Sequence, residues 1–276
     1  MTKAPSQPIG VFDSGYGGLT ILKEFVSRLA ENDFIYLGDN ARTPYGSRSY
    51  DTVYSYTIEA VKALFSMGCQ LVILACNTAS AKALRTIQQQ DLPEIDPDRR
   101  VLGVIRPTVE ILGELTVTRH VGILGTAGTV SSCSYPLEIQ KLFPDITVTQ
   151  EPCPMWVPLV ENNERSGPGA EFFVKKNINH ILEADRSIDT IILGCTHYPL
   201  LMEAILKFTP PDIQIIAQDR IVASSLIDYL AKHPEMNARC TRSGTVRFLT
   251  TDSPELFNEV GSLFFKKKLH SERITF

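Results

Sequence analysis

Two short stretches of this chain share one pattern, and that duplication limits the possible fold more than any other feature. Residues 71–84, LVILACNTASAKAL, open with four large aliphatics, as a parallel strand covered on both faces does. They run through Ala75-Cys76-Asn77-Thr78 into an Ala- and Leu-rich helical pattern. Residues 190–199, TIILGCTHYP, repeat the design, so that Leu74-Ala75-Cys76-Asn77-Thr78 matches Leu193-Gly194-Cys195-Thr196-His197. A second pair echoes as well: residues 9–14, IGVFDS, resemble residues 121–126, VGILGT. The two motifs recur in the same order, at offsets of 112 and 119 residues. The chain therefore reads as two α/β units of similar build, each presenting one cysteine where open parallel sheets collect ligands.

The remaining pattern fits this reading. Strands are expected near residues 9–12, 34–37, 71–74, 101–105, 121–124, 146–150, 190–194, 213–217 and 246–250. Helical segments alternate with them, which implies two doubly wound parallel sheets facing across a cleft. Each half is short of strands unless the C-terminal segment returns to the first. Residues 1–104 with 215–276 are thus expected to form the unit carrying Cys76, and 105–214 the unit carrying Cys195. Residues 93–99 and 232–243 read as connectors.

A net charge of -4 offers no footprint for nucleic acid. Lys266-Lys267-Lys268 reads as the solvated end of a last helix. The leader MTKAPSQP has no apolar stretch and reads as a frayed tail rather than an export signal, and no apolar run is long enough to span a membrane. The six cysteines lack CxxC spacing, so free thiols in a cytoplasmic protein are expected. Cys69, Cys133, Cys153 and Cys240 are read as structural.

A cysteine at the start of a helix is expected to have its thiol pKa lowered by the dipole and the unpaired N–H groups. The same groups, with Asn77, Thr78 and Thr196, would receive a carboxylate. If the units face each other, one thiol approaches each side of a small chiral acid. That is what inversion at carbon demands: one group takes the α-proton and the other returns a proton to the far face. Asp13 could serve Cys76, and His197 could serve Cys195. The halves differ here, since Gly125 stands where Asp13 would be echoed.

The segments VFDSGYGGLT, GDNARTPYG, ACNTAS, GTAGT, CPMWVPLVE and LGCTHYPLL resemble those of the cofactor-independent glutamate racemases, within the aspartate/glutamate racemase family. The resemblance runs in order from residue 9 to about 265. It implies two pseudosymmetric α/β domains with the active site between them, no cofactor or metal, a homodimer, and a role in supplying D-glutamate for peptidoglycan. It assigns Cys76 and Cys195 as acid/base pair, with Asp13 assisting the first and Glu161 and His197 the second. Asp13, Ser14, Tyr45, Gly46, Asn77, Thr78, Thr126, Thr196 and His197 match the substrate contacts. Two stretches depart from the family pattern: residues 103–107, which carry Arg106, and Gln218-Asp219-Arg220.

Other classes fit less well. Gly15-Tyr16-Gly17-Gly18 follows a strand, but a dinucleotide fingerprint needs a third glycine where Thr20 stands, and no phosphate-binding Gly-Lys-Ser/Thr occurs. Cys195 and His197 lack zinc-site spacing. A cysteine hydrolase or amidotransferase would want glycines two residues either side of its nucleophile. Cys76 has Leu74 and Thr78 there, and Cys195 has Leu193 and His197. A two-lobed amino-acid-binding module has no use for paired thiols. An aspartate racemase, or a racemase of another amino acid on the same fold, remains the alternative substrate assignment.

Overall fold

The computed structural model describes residues 7–276; the first six residues of the leader lie outside them. Four strands come first: β1 (Ile9–Asp13), β2 (Phe34–Gly38), β3 (Leu71–Leu74) and β4 (Arg100–Gly103). The next four are β5 (His120–Gly125), β6 (Thr147–Pro152), β7 (Thr190–Gly194) and β8 (Gln214–Ile216). Two more, β9 (Val246–Thr250) and β10 (Ser271–Arg273), close the chain. All pairings are parallel. The larger sheet has the order β10-β9-β2-β1-β3-β4 and the smaller β6-β5-β7-β8. Every residue of β1, β2, β3 and β7 is buried, which accounts for their unbroken apolar reading.

The duplication seen in the sequence extends to register. The order β2-β1-β3-β4 is repeated as β6-β5-β7-β8. Phe12 of β1 pairs with Leu74 of β3, two residues before Cys76, and Leu124 of β5 pairs with Leu193 of β7, two residues before Cys195. Each cysteine thus follows a strand beside the switch point, where successive connections leave in opposite directions and a crevice opens at the strand ends. The C-terminal strands β9 and β10 extend only the larger sheet.

The chain passes between the sheets twice, at Val104 after β4 and at Ala217-Gln218 after β8. Because β8 pairs with β7, a division at 214/215 would cut a strand of the smaller sheet. We propose that the return to the first unit lies between Ile216 and Asp219 instead. Other local expectations shift for identifiable reasons. Residues 130–143 form two helices, Ala127–Ser131 and Ser134–Leu142, because Cys133 takes a left-handed conformation with φ of 54°. The connector at 232–243 contains the helix Pro234–Arg239, started by a proline in its first turn. The helix Leu92–Ile95 extends into the expected connector at 93–99.

One carboxylate pins the smaller sheet to its neighbouring loop. Asp189 accepts from the backbone N–H groups of Val117 and Thr118 at 2.7 Å each, and from the hydroxyls of Thr116 at 2.7 Å and Thr190 at 2.9 Å. Burial alone would raise its pKa, but these donors outweigh it and hold the carboxyl at about 2. Since the folded value lies below the unfolded one, this stabilisation is present above about pH 4 and lost as pH falls through 2. Asp189→Asn is expected to cost about 1–2 kcal/mol at pH 7, with partial solvent screening already allowed for. Urea midpoints of the two proteins should converge between pH 4 and pH 2.

Candidate active site

Both switch points open on one cavity of about 100 Å³, lined by Cys76 and Cys195 together. Its wall includes Ser14, Tyr45, Gly46, Asn77 and Thr78 from the larger sheet's loops, and Thr126, Thr196 and His197 from the smaller sheet's. Every expected substrate contact except Asp13 is therefore on this wall. Asp13 and Glu161 stand behind it. The volume is well below the roughly 300–1,000 Å³ usual for drug-sized ligands, and it suits a small metabolite.

The two thiols have unlike surroundings. Cys76 caps the short helix Asn77–Lys82; its Sγ accepts from Ala79 N–H at 3.4 Å and lies 3.5 Å from Ser14 Oγ. The expected lowering of its pKa does not occur. Burial, reinforced by the nearby Asp13 charge, outweighs the Ser14 and Ala79 hydrogen bonds and pushes the thiol up to about 12. A helix of six residues has too small a dipole to reverse that. Asp13 makes no hydrogen bond to Cys76. Its Oδ1 accepts from Gly15 N–H at 2.9 Å, while Oδ2 is buried without a hydrogen-bond partner among the described residues. Burial raises the Asp13 pKa, opposed by the charge of His197.

Cys195, unlike Cys76, does not sit at a helix start: a turn separates it from the 3₁₀ segment Tyr198–Leu201, where Pro199 lies. Its partner is instead a side-chain relay. Cys195 Sγ lies 3.8 Å from His197 Nδ1, and His197 Nε2 lies 2.9 Å from Glu161 Oε1. Burial would lower the imidazole pKa, but its contacts with Cys195 and Glu161 carry it well above the ordinary value. An imidazolium there stabilises negative charge on the Cys195 sulfur, and the carboxylate fixes the ring, as in base-and-orienter arrangements generally.

The relay's three members belong to the smaller unit, but the larger unit packs against it. Glu161 ends the helix Trp156–Glu161 in the smaller unit, and Phe264 of the larger unit packs its edge on the His197 ring, with centroids 5.3 Å apart. Gly17, after β1, leaves so little room that a Cβ would fall 2.1 Å from Thr196 Oγ1 and 2.5 Å from His197 Nδ1. Two further bonds join the halves at the cavity: Thr78 Oγ1 to Thr126 Oγ1 at 2.9 Å, and Gly128 N–H to Gly46 C=O at 2.7 Å.

Some side chains serve differently from expectation. The Tyr45 hydroxyl donates to the buried Asp39 carboxylate, which also accepts from Arg42 at 2.7 Å, so Tyr45 meets the cavity through its ring and backbone. Cys153, read as structural, is buried and lines the cavity. The Cys153-Pro154 turn, directly before the helix of Glu161, is the signal that placed it there. The contacts of Gly17 and of Gln218, the latter noted only as departing from the family pattern, escape the sequence reading, since contacts across the units leave no periodic trace.

The chain and its fold have relatives among known proteins. The chain is 38% identical to a glutamate racemase of Paracoccus denitrificans over 275 residues, covering 96% of this chain and 98% of the relative. The crystal structure of glutamate racemase from Francisella tularensis in complex with D-glutamate superposes with a TM-score of 0.87 at 35% identity, covering 99% of this chain and 98% of that one. The Escherichia coli glutamate racemase in complex with L-glutamate and the activator UDP-MurNAc-Ala gives a TM-score of 0.78 at 26% identity, covering 98% of each chain. Residues 10–223 match the family described as Asp/Glu/hydantoin racemase, and the extent of these matches makes the chain a member of that family of isomerases.

Proposed function

We propose that this protein interconverts L- and D-glutamate by moving the α-proton between two thiols, without a cofactor. The observation that carries the reading is the pair of sulfurs, Cys76 and Cys195, on the wall of one small cavity between two like-built sheets. Glutamate rather than aspartate follows from relatives named glutamate racemase along nearly the whole chain.

In one direction Cys195, its charge supported by His197 and Glu161, removes the α-proton. The resulting planar carbanion then takes a proton from Cys76 on the opposite face. Cys76 is suited to donate, because burial keeps it a thiol. In the other direction Cys76 must lose its proton first, and Asp13, with Oδ2 unpaired, is the group placed to assist it. Asn77, Thr78, Thr126, Thr196 and the Ser14 hydroxyl offer donors to the substrate's carboxylates, and the Tyr45-Gly46 backbone completes the wall. In the cell, the reading is of a cytoplasmic homodimer supplying D-glutamate for peptidoglycan. Among the described residues no helix is long and apolar enough to cross a membrane.

Incubation of D-glutamate in D₂O tests this directly. Optical rotation should fall to zero while deuterium enters the α-carbon. Release of ammonia would point to a hydrolase, and unchanged, fully protiated ligand to a binding module. Initial rates should also favour D-glutamate over D-aspartate.

A further inference from the structure

Gln218 sits at the second passage between the units, in a stretch that departs from the family pattern, and it is buried. Its Oε1 accepts from Asn77 Nδ2 at 2.7 Å, and its Nε2 donates to Tyr135 OH at 2.8 Å. Tyr135 OH in turn donates to Asn77 Oδ1 at 2.8 Å. Three side chains from the Cys76 turn, the Ser134–Leu142 helix and the second passage thus form a closed circuit in which every donor has one acceptor. Gln218 Nε2 also reaches Thr108 Oγ1 at 2.7 Å and Val104 C=O at 3.2 Å, on the first passage.

The Asn77 amide cannot turn over inside this circuit without breaking both of the bonds it makes there. The orientation of Asn77 is therefore fixed from outside its own unit. Asn77 keeps one N–H and one lone pair in reserve. It follows Cys76 in sequence and lines the cavity, so its free N–H is the group offered to a ligand carboxylate. We propose that Gln218 is a positioning residue: through the circuit with Tyr135 it holds the Asn77 carboxamide so that a bound amino acid presents its α-carbon to Cys76. The catalytic part of this rests on the racemase reading above.

The test compares Gln218→Met, Tyr135→Phe and the double variant in glutamate racemisation and in the ¹H–¹⁵N spectrum of the side-chain amides. Either break should lower kcat about tenfold or more, because a small misplacement of the reacting carbon is costly, while KM moves less than about threefold. Since both changes open one circuit, the double variant should fall no more than about threefold below the worse single one. In both single variants the separated Asn77 amide protons should draw together. Normal kcat in a folded variant, an effect confined to KM, or losses that multiply in the double variant would overturn the proposal. If Gln218→Met gives no cooperative melt, Tyr135→Phe carries the same expected loss and the same overturning result. A wild-type protein inactive on glutamate would defeat the substrate assignment but not the circuit, for which an Asn77 spectrum unmoved by either variant is the contrary result.

Discussion

Cys76→Ser and Cys195→Ser are each expected to lower kcat/KM for glutamate racemisation by about 10²–10⁴-fold, the usual worth of a positioned acid or base. A serine hydroxyl is close in size to a thiol, so the cavity wall should survive and the loss should lie in proton transfer. The two variants should also differ from each other. Each keeps one sulfur on one face, so each should exchange the α-hydrogen of one enantiomer with D₂O faster than it inverts it. The favoured enantiomer should be opposite in the two variants. The Cys195 variant loses the sulfur served by His197 and Glu161; the Cys76 variant loses the one that burial keeps protonated. Near-normal turnover in either would remove that sulfur from the reaction.

Gly17→Ala should be nearly as damaging although the residue bears no reactive group. Its added methyl would meet Thr196 Oγ1 at 2.1 Å and His197 Nδ1 at 2.5 Å, distances at which something must shift. The His197 ring is wedged between Phe264 and Glu161 and cannot simply swing away. Displacing it by an ångström should cost about 10²-fold in kcat/KM, beside about 1–3 kcal/mol of stability from overpacking. Steady-state kinetics with thermal melts would separate the two effects. Unaltered kcat/KM would show that Gly17 does not constrain the relay.

What the amino-acid order revealed, and what it concealed, divides along a physical line. Strand ends and their cysteines were legible because burial on both faces writes an unbroken aliphatic run, and because the second half repeats it down to the pairing of Phe12 with Leu74 and Leu124 with Leu193. The acidity of Cys76 differs from expectation because a local view credits the helix start and omits the burial in the larger unit's core and the nearby Asp13. The same blindness hid the approach of Gly17 to His197 and the meeting of Gln218 with Asn77, 141 positions apart. Tyr45 lines the cavity, yet its hydroxyl is spoken for by Asp39, a partner six residues away that no motif announces.

The paired passages at Val104 and Ala217-Gln218 have a mechanical consequence. A lone tether would let one lobe swivel freely against the other, whereas two neighbouring tethers confine it to swinging about the line through both, as a door turns on its jamb. With Gln218 stitched to Val104 C=O and Thr108, that jamb is stiff. The bond from Gly128 N–H to Gly46 C=O ties the two lobes beside the cavity, so swinging them apart along that arc means breaking it.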